Sequence, residues 1–176
     1  MKNLFIALFV IALLAGGFFL ICYPANAASS EAETQQTFVV RNSDMRTAKA
    51  SETNFTGDVN STLLFGSENP TGKSGGIVDF SPGARTAWHD HPNGQLIIIT
   101  AGSGRVQQWG AQVIEVGQGD VVWFPPNVKH WHGAAPDRAM SHIALADIVD
   151  GISSTWHEKV TDDQYNGRDK INSIIF

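Results

Sequence analysis

Between Phe38 and Leu145 the chain breaks into short β-prone runs, set apart at close spacing by turn residues. The runs are Phe38-Val39-Val40, Thr62 to Phe65, Ile77 to Phe80, Leu96 to Thr100, Arg105 to Trp109, Val113 to Val116, Val121 to Phe124 and His142 to Leu145. Ser81-Pro82-Gly83, Gly102-Ser103-Gly104, Gly117-Gln118-Gly119-Asp120 and Pro125-Pro126-Asn127 supply the turns. Long helical periodicity is missing, so the pattern predicts an all-β sandwich or barrel. One short helix is expected near Thr161 to Tyr165, where Thr161 can N-cap and two acids follow in the first turn.

The first 27 residues read as a targeting segment instead of part of this fold. Lys2 supplies the positive charge, Leu4 to Cys22 is an uncharged apolar run, and Ala25-Asn26-Ala27 has the small-residue pattern of a signal-peptidase site. An uncleaved anchor is the alternative, since the run is long enough to span a bilayer. Gly16-Gly17 and the cleavage pattern favour a mature start at Ala28, outside the cytoplasm, with no stable membrane association afterwards. Residues 28–36 are polar and predict a flexible lead-in, and residues 37–176 predict a single domain.

Composition removes several chemistries. Twelve Lys and Arg against 17 Asp and Glu leave a net charge of -5, which offers nucleic acid no basic footprint. The one cysteine, Cys22, lies in the segment to be removed, so thiolate catalysis and cysteine-ligated metal are excluded from the mature chain. Gly72-Lys73-Ser74 is not a P-loop, because Ser67 stands where the first glycine belongs and a strand pattern follows. Gly102-Ser103-Gly104 lacks the third glycine of a dinucleotide fingerprint and reads as a hairpin turn.

Five of the six histidines fall between residues 89 and 142. His89 and His91 are two apart in an extended stretch, so both side chains face one way, and His130 and His132 repeat the arrangement. One such histidine alone is ordinary core or surface. Two H-x-H pairs on a β pattern point to a divalent metal, because neutral imidazole is the commonest nitrogen donor. His142 alternates with Met140 and Ala144, which predicts a neutral imidazole at an apolar wall, suited to act as a base. His132 is expected to line the pocket or support a ligand, and His157 to be ordinary surface. Trp88 and Trp131 alternate with the histidines and should face the opposite side.

Gly83-Ala84-Arg85-Thr86-Ala87-Trp88-His89-Asp90-His91-Pro92-Asn93-Gly94-Gln95, followed by Gly102, resembles the first cupin motif. Gly119 to His130 resembles the second, with Asn127 at the usual turn glycine, a place Asn fills because it adopts the left-handed conformation. The resemblance implies a double-stranded β-helix barrel, jelly-roll-like, with His89, His91 and His130 as metal ligands. Gln95 stands where that motif usually has a ligand glutamate. Together with the Lys129-His130-Trp131-His132 stretch, the strand around His142 and the segment from His157 to Tyr165, this is similar to bacterial manganese-dependent cupin hydroxynitrile lyases. That similarity implies Gln95 as a fourth ligand, His142 as base, one divalent ion per chain with manganese first and iron, nickel or zinc also suited, a small-molecule substrate, and a homo-oligomer.

Gln95 also has a reading of its own. Three imidazoles and an amide leave the ion's charge near +2, whereas a carboxylate would lower it to near +1. The more positive site polarises carbonyls and hydroxyls better and opposes oxidation, which favours Lewis-acid chemistry over oxygen activation. Joined to the resemblance, which implies the reaction, this makes the expectation a metal-dependent carbon–carbon lyase of small carbonyl or cyanohydrin-type compounds. Two other classes stay open: a cupin dioxygenase of a phenolic substrate, and a non-catalytic periplasmic small-molecule-binding cupin.

Overall fold

The computed structural model describes residues 37–169, so the expected signal peptide and lead-in lie outside the described residues. Twelve strands and one helix follow a 3-10 turn at Asn42–Asp44. They are β1 (Thr47–Lys49), β2 (Phe55–Thr56), β3 (Val59–Phe65), β4 (Lys73–Phe80), β5 (Arg85–Thr86), β6 (His89–Asp90), β7 (Gln95–Gln108), β8 (Ile114–Gly117), β9 (Val121–Phe124), β10 (His130–Ala134), β11 (Met140–Asp147), β12 (Thr155–Trp156) and α1 (Asp162–Tyr165). The main path runs β1-β3-β4-β11-β7-β10-β5-β2, with β8 and β9 on β7 and β6 between β10 and β12. All pairings are antiparallel and the sheet curls into a barrel, as expected.

β7 holds the two faces together. Its first part pairs with β9 and β11, and its second with β8 and β10. The hairpin turn expected at Gly102-Ser103-Gly104 is therefore absent. Gly102 lies inside a continuous strand at φ 73°, where a Cβ would fall 1.9 Å from the Ala139 carbonyl oxygen. The glycine lets one strand turn the corner between sheets, which a turn signal in the sequence does not distinguish from a reversal. Phe38-Val39-Val40 likewise forms no strand, and Phe38 and Val39 are exposed. β propensity acts only where an edge is available, and β1 occupies the edge beside β3.

Alternation along the strands builds two apolar layers. Val59, Phe80, Ile97, Ile99, Val106, Phe124 and Met140 fill the barrel interior. Trp88 and Trp131 point the other way and are buried with Val160 and Tyr165 under the C-terminal segment. The expected helix is present with its cap: Gln164 N–H donates to Thr161 Oγ1, and Thr161 N–H donates to Gln164 Oε1. The same Oε1 accepts from the Trp88 indole at 3.1 Å, Trp131 donates to Gln107 Oε1 at 2.7 Å, and the Tyr165 hydroxyl donates to the Ala134 carbonyl. Each buried ring thus keeps its polar atom paired. Among the described residues no helix is long and apolar enough to cross a membrane.

Candidate metal centre

The inward faces of β6, β10 and β11 carry histidines into the barrel interior. His130 sits opposite His89 in the β10–β6 register. After β6 the chain turns through Pro92-Asn93-Gly94 so that His91 and Gln95 face the same space. Gly94 makes that turn possible, since at φ 84° a Cβ would meet the Phe124 carbonyl oxygen at 2.5 Å. Asn127 takes the expected left-handed conformation at φ 57°, and its N–H donates to the His91 carbonyl at 2.8 Å. The two histidine-bearing segments are thereby tied to each other.

All six sequence-predicted site residues are brought together and all are buried: His89, His91, Gln95, His130, His132 and His142. The imidazole centroids of His89 and His91 lie 5.2 Å apart, those of His89 and His130 4.4 Å, and those of His91 and His130 5.6 Å. One ring nitrogen from each of His89, His130 and His132 lies within 4.8 Å of the other two, a group that does not include His91. His132 and His142 touch through Nδ1 and Nε2 at 3.1 Å. His157 lies apart at an exposed position, with its Nε2–H donating to Asp90 at 2.6 Å.

The hydrogen bonds decide which nitrogens are free. A carbonyl only accepts, so Nδ1–H of His89 donates to Ala87, that of His91 to Ser153 and that of His130 to Val128. In a neutral imidazole this leaves Nε2 as a bare lone pair on all three rings. His91 Nε2 is buried with no partner, and His130 Nε2 faces Gln95 Oε1 at 3.0 Å. Two acceptors at that distance repel unless a cation lies beside them. Gln95 also interacts with the His89 and His91 imidazoles. This donor set, three buried imidazole nitrogens and an amide oxygen, fits a divalent first-row ion.

Burial is the main reason that every imidazole here stays neutral. It depresses His89 and His132 well below the ordinary range, with neighbouring imidazoles adding to the effect, and it lowers His91. Burial pushes His130 down to about 4 and His142 down to about 4, with Asp79 opposing the shift at His142. Neutral lone pairs are the form a metal needs.

Aromatic walls that were not singled out from the sequence close the site. Phe124 stacks on His130 with centroids 3.8 Å apart, Phe80 packs on His142 at 5.4 Å, and Trp156 on His89 at 4.8 Å. Inward phase in β4 and β9 pointed to Phe80 and Phe124, whereas Trp156 reaches His89 only through the β12–β6 pairing. Gly76 and Val78 lie on β4 beside this wall, with Val78 opposite His142. The carbonyls of Ala87, Val128 and Ser153 have no sequence signature. Two surface clefts, one at Lys73, Gly94, Trp123 and Leu145 and one at Arg105, Glu115, Asp137 and Arg138, contain none of these histidines and no comparable donor set.

Comparison with known proteins agrees with this fold. Residues 76–145 match the model of the cupin domain family. The chain is 53% identical over 111 residues to an (R)-mandelonitrile lyase from Granulicella tundricola, covering 63% of this chain and 85% of that protein. A cupin-like protein from Thermotoga maritima superposes with a TM-score of 0.65 at 42% identity, covering 68% of this chain and 90% of the other. A polyketide cyclase from Streptomyces resistomycificus shares the fold at a TM-score of 0.57 and 15% identity, over 78% of this chain and 97% of that one. Barrel, paired histidine motifs and relatives agree, and the chain belongs to the cupin superfamily.

Proposed function

We propose that this cupin is a metal-dependent carbon–carbon lyase of small cyanohydrin-type or carbonyl compounds. The observation that carries the reading is the placement of the hydrogen-bonded His132–His142 pair beside the His89, His91, Gln95 and His130 donor set, inside one aromatic-walled interior. His89, His91, Gln95 and His130 would hold one divalent ion, manganese first. Such an ion supplies Lewis acidity that makes a substrate hydroxyl easier to deprotonate. The identity to a mandelonitrile lyase supports the same reaction class.

The remaining chemistry belongs to the chain's own side chains. The hydroxyl proton of a cyanohydrin goes to the His132–His142 pair as the carbon–carbon bond breaks. The carbonyl forms, cyanide departs with the bonding electrons, and it regains the proton as hydrogen cyanide. Of the two rings His142 is the better final acceptor. Asp79 favours its charged form, whereas four neighbouring imidazoles disfavour that of His132. Phe80, Phe124 and Trp156 exclude water, so the base stays neutral until substrate arrives.

Cleavage of mandelonitrile to benzaldehyde by manganese-loaded protein, against a metal-free control, tests this assignment. Absence of metal-dependent cleavage together with oxygen uptake on a phenolic substrate would replace it with a dioxygenase. Recovery of an unchanged small molecule with no turnover would replace it with a binding protein. The proposal extends to an exported, homo-oligomeric mature chain beginning near Ala28, and intact mass and sizing of protein from the native host test both points.

A further inference from the structure

We infer that residues 148–154, the loop joining β11 to β12, form a clamp that seats His91 and controls how fast the metal ion leaves the centre. The inference rests on the metal reading above. His89, His91 and His130 each pass their Nδ1–H to a backbone carbonyl, but the carbonyls differ in origin. Those of Ala87 and Val128 lie two residues back on the same segment as His89 and His130. His91 instead donates to Ser153 at 2.5 Å, across 62 residues of chain. A second-nitrogen partner of this kind fixes the tautomer and aims the lone pair. The aim of His91 Nε2, which is buried with no partner of its own, therefore depends on where a remote loop holds one carbonyl. His91 is also the least buried of the three residues, so the loop meets the centre on the side nearer to solvent.

The loop is fastened at both ends. Ile148 N–H donates to the Gly72 carbonyl at 2.8 Å. At the other end Thr155 and Trp156 pair with Asp90 and His89, and the Trp156 ring lies on the His89 imidazole. Between these anchors Val149 and Ile152 exchange two backbone bonds of 2.9 Å. They close a two-residue turn in which Asp150, at φ 51°, and Gly151, at φ 81°, are both left-handed. Ser153 follows this turn directly, so the turn sets where its carbonyl points. Ile152 is 53% exposed, which leaves backbone geometry, more than packing, to hold the turn closed. A unit with so little buried apolar surface opens at lower cost than the barrel strands. Opening withdraws the acceptor from His91 and loosens that donor first. Closing restores it.

Gly151 allows a test that leaves every side chain of the centre in place. A Cβ there meets no atom within 4 Å, so Gly151→Ala strains the turn through φ alone. Gly83→Ala is the control. It carries the same left-handed strain at φ 76° and the same open space, but its N–H donates to Ala135, past the end of β10 remote from His130. Chelator competition followed by stopped flow reads Ni2+ release from the full-length protein. Gly151→Ala should release Ni2+ several-fold faster and Gly151→Pro roughly tenfold or more, the scale of losing a supporting partner. Gly83→Ala should stay within about twofold of the parent. In long-range 1H–15N NMR of metal-free protein, the Gly151 variants should lose the His91 Nδ1–H signal by exchange and keep those of His89 and His130. Release within about twofold of the parent in the Gly151 variants, equal acceleration in Gly83→Ala, or an unchanged His91 signal would overturn the clamp. Gly151→Ala decides the matter by the same readouts if Gly151→Pro does not fold. A parent protein that holds no Ni2+ overturns the metal reading and the clamp together, whereas a parent that holds it and variants that release it no faster overturn the clamp alone.

Discussion

Gln95 Oε1 and His130 Nε2 face each other at 3.0 Å with no proton between them, because the His130 hydrogen is committed to the Val128 carbonyl. Two lone pairs held together in a buried site are costly by themselves and favourable around a cation. β7 begins at Gln95 and β10 at His130, so the relationship is held by strand ends and not by mobile loops. On the proposed metal reading the amide belongs to the centre with the imidazoles, and this shapes the predictions below.

Replacing His89, His91 or His130 with alanine should each lower metal affinity by more than the roughly 10- to 100-fold typical of a supporting residue. His157→Ala, at an exposed position whose side chain bonds to Asp90, should leave occupancy unchanged. Elemental analysis after dialysis reads the result. Full occupancy in all three ligand variants would remove the centre from consideration.

Gln95→Glu keeps an oxygen donor at the same reach and adds a negative charge. Metal affinity should hold or rise, because a carboxylate binds a hard ion better than an amide. Mandelonitrile cleavage should nevertheless fall roughly tenfold, about 1.4 kcal/mol of barrier, since the ion then draws less charge from the hydroxyl. Equal rates in the two proteins would show that ligand charge does not govern the reaction.

His142→Ala, assayed at saturating metal, should reduce cleavage by roughly 100-fold or more, the usual range for loss of a general base. The split between kcat and KM is informative. The loss should fall on kcat, because His142 touches the proton in flight and not the substrate's bulk. A change confined to KM would make it a wall residue.

Acid should destabilise the metal-free protein in a defined window. His130 and His142 are held near 4 when folded and return to about 6.5 when unfolded. Between those values the unfolded chain binds protons that the folded chain refuses, so stability is full above about pH 6.5 and is lost as pH falls toward 4. The loss is about 3 kcal/mol per histidine at the acid end. Urea titrations of metal-free protein between pH 7.5 and 4 measure it, and a flat profile would contradict the neutral, buried state of these rings.

Gln164 is predicted to matter to stability without touching the site. Its Oε1 accepts from both the Trp88 indole and the Thr161 backbone. Gln164→Ala should cost about 1–3 kcal/mol, since one buried donor loses its partner and the helix loses its cap. Gln164→Glu, which keeps the acceptor, should recover most of that in thermal melts.

What the sequence determined by itself follows from short-range physics. The two-residue period of a strand sends both members of an H-x-H pair to one face, so His89 with His91 and His130 with His132 were legible as convergent histidines. The same period placed Trp88 and Trp131 on the other side, and capping chemistry located the helix after Thr161. Other features depend on which strands meet, and only the tertiary structure decided those. Gly102 looks like a turn in the sequence, yet it bends one strand across two sheets, because its surroundings include Ala139 from a segment more than thirty residues away. Phe38-Val39-Val40 has strand propensity but pairs with no edge. The carbonyls of Ala87, Val128 and Ser153, which fix the histidine tautomers, are backbone atoms that side-chain identity cannot report. The contact between His132 and His142 joins β10 to β11 across the barrel interior, and that distance is set by how the sheet closes.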